Sequence, residues 1–233
     1  MTQDLVIDEA ALLCKPESQP VHYSSHPSGA DLEFRWFLKR DFSAICDEQS
    51  GKNYLFIGMN PSTASEFSKT LTPKTPGGPH GDNTTQTILQ KIEEGVFEYP
   101  ARSVTMLNLI PLVCTKSSDV PGQWSLLSDS AKGTTLKATL TLVEQCETTA
   151  DFIIPMWGQH KKSGNTWKQE PIRKISELLL RSDLQLAEKV YAFYNRDALL
   201  KNRAPYHCSY SWWTKENVEY GQFAGALRYL ENI

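Results

Sequence analysis

The chain has no apolar run long enough to cross a bilayer, which excludes a helical membrane protein. Its first residues, Met1-Thr2-Gln3-Asp4, are acidic rather than basic, so no secretory leader is expected. It has no C-x-x-C pair, and Cys14, Cys46, Cys114, Cys146 and Cys208 are odd in number and far apart. That pattern argues against a zinc site and for reduced thiols in a cytoplasmic protein. Basic charge is not in excess: 24 Lys and Arg face 27 Asp and Glu, a net charge of -3. A uniformly basic nucleic-acid coat is thereby excluded, although a local basic face is not. The nucleotide fingerprints G-x-G-x-x-G and G-x-x-x-x-G-K-[ST] are missing, as are internal repeats and low-complexity tracts. What remains is an ordinary globular composition over 233 residues, 40% of them hydrophobic, enough for one sizeable core. A single domain over residues 31–233 is expected, after a partly ordered extension over residues 1–30.

The chain is arranged around a stretch that begins with Tyr54-Leu55-Phe56-Ile57 and turns through Gly58-Met59-Asn60-Pro61-Ser62-Thr63-Ala64. A Pro/Gly-rich loop over residues 72–81 follows, and Asp82-Asn83-Thr84-Thr85 opens a helical pattern. Thr84, Ile88 and Ile92 share a helix face, with Gly95 as its C-cap. Further apolar strands are expected at residues 103–110, 151–158 and 189–194. Residues 32–40 read as an edge strand. Asp119-Val120-Pro121-Gly122 reads as a turn. Helices are expected over residues 128–146, with Leu136, Leu140 and Val143 on one side, over 171–180, with Pro171 in the first turn, and over 218–230. Near-continuous apolar strands alternating with helices indicate a parallel sheet covered on both faces. The fold expected is therefore three-layer α/β/α, with a central, mainly parallel four-stranded sheet. In such sheets ligands lie beyond the C-terminal strand ends. The polar segments there are the Asn60 turn, Asn108 to Thr115, Trp157-Gly158-Gln159-His160, and the aromatic loop from Tyr194 to Ser211.

Several residues at that edge carry chemistry, each with a plainer alternative. Asn60 either orients a substrate or water through its amide or merely caps its own turn. Asp82 either activates water and steadies a cationic sugar, as carboxylates do at glycosidic centres, or serves as a helix N-cap. His207 either donates to charge developing on a leaving group or is an ordinary loop histidine. His80 contacts phosphate or only solvent. Lys161, Lys162, Lys168, Arg173, Lys201 and Arg203 form either a phosphate-binding rim or a solvated surface. Tyr206, Tyr210, Trp212 and Trp213 interleave with these charges; they stack on bases or pack the last helix.

The order Gly58-Met59-Asn60-Pro61-Ser62-Thr63-Ala64, Asp82-Asn83-Thr84, Asn108-Leu109 and Trp157-Gly158 resembles an uncharacterised bacterial and phage domain family. Members show L-N-P-S-T-A-D, D-P-T, V-N-L and W-G in that order. The likeness runs over roughly residues 32–213, with Ser65 and Asn83 departing from the usual Asp and Pro. The same order is more distantly similar to the uracil-DNA glycosylase superfamily, whose mismatch-specific branch has G-I-N-P where this chain has Gly58-Met59-Asn60-Pro61. Gly77-Gly78-Pro79-His80-Gly81-Asp82-Asn83 resembles that branch's glycine- and histidine-rich loop. Pro205-Tyr206-His207-Cys208-Ser209 stands where the superfamily has H-P-S-P-L-S or N-P-S, and the proline after His is missing. Ser62 replaces the tyrosine that blocks 5-substituted pyrimidines in the uracil-specific branch.

The resemblance implies a uracil-DNA glycosylase-like fold. It also implies a DNA glycosylase that flips a bulky 5-substituted pyrimidine from a duplex, with a role in phage defence suggested by the first family's distribution. It assigns Asn60, Asp82 and His207 as catalytic. Gly58, Met59, Pro61, Ser62, Thr63, His80, Asn83, Asn108, Trp157 and Ser209 would bind substrate. Lys161, Lys162, Lys201, Arg203, Tyr210, Trp212 and Trp213 would hold DNA. No metal or organic cofactor is expected, and the chain would act as a monomer away from membranes. The rival expectations are a non-catalytic module binding a modified base or nucleotide, and a hydrolase of free nucleosides or nucleotides.

Overall fold

The apolar run at residues 54–57 lies within strand β4 (Lys52–Gly58), whose residues from Tyr54 to Gly58 are all buried. A strand covered on both faces needs no polar alternation, which is why it reads as a continuous run. In the computed structural model the described residues are 21–23, 32–42, 51–61, 83–97, 99–147, 149–158, 166–181, 186–193 and 218–220. β5 (Ala101–Asn108) and β6 (Phe152–Pro155) flank β4, both parallel to it. β3 (Phe37–Asp41) closes the other edge, antiparallel to β5, so the sheet order is β3-β5-β4-β6.

The sheet is thus mixed rather than purely parallel. The fourth parallel strand expected at 189–194 contributes one bridge, Val190 to Ile153, in the parallel sense. Beyond it, β7 (Tyr191–Phe193) takes its ladder from β8 (Val218–Tyr220), antiparallel. β8 occupies the start of the helix expected at 218–230. Val218 and Tyr220 favour a pleated strand, and the open edge of β7 supplies the pairing that a helix pattern does not register.

Residues 32–40 form two strands rather than one. β2 (Leu32–Phe34) pairs with β1 (Val21–Tyr23), which lies inside the stretch expected to be an extension. Arg35 breaks the run, its backbone N–H donating to the Pro111 carbonyl at 2.8 Å.

Helix α1 (Asn83–Glu93) ends as its sequence predicts. Gly95 sits at φ 65°. Its N–H donates to the Ile92 carbonyl, and that of Val96 to Lys91, the paired bonds of a Schellman cap. Helix α2 (Val120–Ser125) forms where a turn is expected, because Pro121 in a first turn presets φ and spends an N–H that would be unpaired anyway. Helix α3 (Asp129–Glu147) is capped by Ser128, whose hydroxyl accepts the Ala131 N–H at 3.1 Å. Its buried stripe is Ala131, Thr135, Ala138, Thr139, Leu142 and Val143, with Leu136 off the stripe. Thr135 and Thr139 can be buried because each hydroxyl donates back to the carbonyl four residues earlier. Helix α4 (Gln169–Leu179) follows a 3-10 turn at Thr166–Lys168.

Among the described residues two cores result, one per sheet face. Leu55, Ile57, Leu107 and Ile153 join α3 and α4 through Leu142, Ile172 and Ile175. Tyr54, Phe56, Val104, Met106 and Ile154 join α1 through Ile88 and Leu89.

Candidate functional site

The register places the C-terminal ends of β4, β5 and β6 side by side, Gly58 opposite Asn108 and Ile57 opposite Pro155. The turn after β4 does not leave the sheet freely. Gly58, Met59 and Pro61 carbonyls accept the N–H groups of Leu109, Ile110 and Cys114 at 2.9, 3.0 and 3.2 Å. The segment that carries Asn60 is therefore laid along the continuation of β5.

Asn108 is 1% exposed, and neither its Oδ1 nor its Nδ2 has a hydrogen-bond partner among the described residues. The carboxamide lies over Gly58. A Cβ on Gly58 would stand 2.9 Å from Asn108 Oδ1 and 3.1 Å from Met106 Cε. Glycine is required there by close approach, not by backbone conformation. An amide desolvated without partners costs stability, and it is held at the strand end where ligands of α/β sheets lie.

Asn60 is half-buried, and its Nδ2 donates to the Pro61 carbonyl at 2.9 Å. Half of its amide is thus spent on rigidifying the turn, and Oδ1 remains as the acceptor. Pro61 is buried and Met59 half-buried. The Trp157 indole is buried in the core shared with α3 and α4. Asn83 begins α1. Asp82, His207, Ser62, Thr63, His80, Ser209, Lys161, Lys162, Lys201, Arg203, Tyr210, Trp212 and Trp213 lie outside the described residues.

Of the remaining rim cations, Arg173 stands on the exposed side of α4, paired with Glu177. Lys168 does not belong to a surface at all. It is 4% exposed, with Nζ 3.4 Å from the Trp157 carbonyl and 3.8 Å from the Met59 sulfur. Burial pushes its amine down to about 8. Arg35 is 1% exposed, next to the same strand ends through its bond to Pro111. Neither burial is readable from the sequence, where both residues look like ordinary polar positions. The one hint for Lys168 is its place between Trp167 and a helix start.

The Cys114 thiol, near the same edge, donates to Gln123 Oε1 at 3.1 Å. Burial, then the charge of Asp119, push it up to about 11, so a thiolate nucleophile is disfavoured there. No cluster of metal-ligating side chains occurs among the described residues. An open groove of about 400 Å³ lies elsewhere, lined by Lys39, Asn53, Arg102 and Ser103. Asn53 and Ser103 are at the N-terminal ends of β4 and β5, so this groove is at the end of the sheet away from Asn108.

The arrangement defines an α/β protein with a candidate ligand site at the C-terminal strand edge. The chain belongs to the family described as protein of unknown function (DUF1643), which matches residues 35–207. No curated protein and no solved structure matches it.

Proposed function

We propose that the protein is a DNA glycosylase that hydrolyses the N-glycosidic bond of a modified, 5-substituted pyrimidine. The observation that carries this is the buried carboxamide of Asn108, which lies beside Gly58 and has no partner among the described residues. A carboxamide offers one acceptor and one pair of donors side by side. That matches the alternating donor and acceptor edge of a pyrimidine and would satisfy both orphan atoms at once. The glycosidic bond is inaccessible in a stacked duplex, so the nucleotide must be flipped into the edge. Asn60 Oδ1, or the carboxylate of Asp82, orients the attacking water and steadies the cationic sugar. His207 donates to the base oxygen as the base leaves as an anion. Ser62, in place of a larger residue, leaves room for the 5-substituent.

Binding without cleavage is the second reading. It is favoured by the bond from Asn60 Nδ2 to Pro61, which is what a purely structural turn asparagine makes. The two separate by product analysis. A duplex carrying 5-hydroxymethylpyrimidine is incubated with the protein and the supernatant is searched for free base. Released base supports the glycosylase. Tight, modification-dependent binding with no released base would replace it by the recognition module.

A further inference from the structure

We infer that Lys168 and the start of α4 form an interior oxyanion site that takes a phosphate of the bound nucleotide, across the Gly58–Asn60 turn from Asn108. This rests on reading the edge as nucleotide-binding, but not on catalysis there.

Lys168 is buried, and among the described residues its amine meets a carbonyl at 3.4 Å and a thioether at 3.8 Å. No carboxylate pairs with it among the described residues. A buried cation without a counter-charge is a standing cost. Its place makes the cost larger. Lys168 is the N-cap residue of α4, at the positive end of the helix dipole; the 3-10 turn Thr166–Lys168 runs directly into α4 and Pro171 carries no N–H, so it is the dipole rather than a row of free N–H groups that acts there. A cation is the wrong charge for that position, and an anion is the right one. Glu170, the acid of that first turn, is exposed to solvent. The adjoining Trp167 also carries an unsatisfied donor: its Nε1 is buried with no acceptor among the described residues. One bound oxyanion would answer the lysine charge and the helix dipole together, with the Trp167 N–H at the same helix end.

The two sides of the turn explain why the anion is a phosphate. The missing side chain of Gly58 points toward Asn108, Met106 and Met156, on the α1 side of the sheet. Met59 packs on the opposite core, and it is Met59 that Lys168 touches. A ligand whose base edge meets Asn108 therefore presents a different part of itself to Lys168. For a nucleotide that part is the sugar-phosphate. Lysine is suited to a phosphate as a compact point charge.

The test uses the full chain with inorganic orthophosphate as probe. Thermal unfolding of wild type, Lys168→Met and Lys168→Arg is compared in orthophosphate and in chloride at equal ionic strength. Wild type and Lys168→Arg are expected to gain stability specifically from orthophosphate. Lys168→Met is expected to be at least as stable as wild type in chloride and to gain nothing from orthophosphate. On duplex carrying the modified pyrimidine, Lys168→Met is expected to bind about tenfold more weakly and to lose about one unit of salt slope. An equal orthophosphate gain in Lys168→Met, or a less stable Lys168→Met in chloride, would overturn the site. Unchanged duplex affinity would overturn the assignment to a nucleotide phosphate. Normal orthophosphate behaviour without any base release would sink the glycosylase and leave this site standing.

Discussion

Replacing Asn108 with leucine separates stability from function. The side chain is 1% exposed and both of its polar atoms lack partners among the described residues. Water satisfies them in the unfolded chain and no described residue does so in the fold. A buried polar group left unpaired costs about 1–3 kcal/mol. Leucine has nearly the same branched outline and no polar atoms, so Asn108→Leu recovers most of that cost. For a chain of this length the gain corresponds to a rise of roughly 2–6 °C in Tm. Asn108→Ala removes the same atoms but opens a cavity, so its gain is smaller or reversed. The assay is a thermal and urea melt of all three proteins, run beside a measurement of base release. The expected result is a more stable Asn108→Leu that releases no base. A stability loss above about 1 kcal/mol would show that the fold itself uses the amide, and the premise of a carboxamide reserved for a ligand would be refuted.

Three further outcomes follow from the same geometry. Gly58→Ala places a Cβ 2.9 Å from Asn108 Oδ1; overpacking of about 1–3 kcal/mol in a urea melt, with base release lost, is expected, and an unaltered variant would contradict the close approach. Gly95→Ala forces a side chain onto φ 65° and should cost about 1–2 kcal/mol while leaving base release intact. The Lys168 amine titrates near 8 in the fold against 10.5 ordinarily, so above about 8 the unfolded chain holds more protons and stability rises with pH, by at most about 1 kcal/mol per unit. Cys114 and Cys146, raised from 9.0 to about 11 by burial, act in the opposite sense above 9. The window is therefore pH 8 to 9, and denaturant melts there should show a rise that Lys168→Met abolishes; a rise persisting in that variant would exclude the lysine as its source.

The sheet's parallel strands are legible because burial on both faces turns them into apolar runs, as at Tyr54 to Ile57. The C-cap at Gly95 is legible because a left-handed residue ending a helix selects glycine. The antiparallel edge is not. Pairing of β3 with β5, and of β7 with β8, is decided between distant segments, and short strands such as Val218–Tyr220 carry no period of their own. The α3 stripe is hidden because Thr135 and Thr139 count as polar until their hydroxyls are seen to bond backwards. α2 is hidden because the Asp119-Val120-Pro121-Gly122 sequence suits a turn and a helix start equally. At the site, Asn60 and Asn108 are found from their place after apolar strands. Lys168 is named from the sequence only as a rim or solvated-surface residue; its burial is missed because a lysine's burial depends on what packs over it, here Trp157 and Met59.

The most direct measurement is abasic-site formation in genomic DNAs carrying ordinary, uracil-containing, hydroxymethylated and glucosylated pyrimidines. Abasic sites in one modified DNA, lost in both Asn60→Ala and Asn108→Leu, are the predicted result. A loss of about a hundredfold or more in rate is expected for Asn60→Ala, the scale of one pre-organised electrostatic contact. No abasic sites in any of the four DNAs, with the protein folded, would contradict the glycosylase and leave a binding module at the same strand edge.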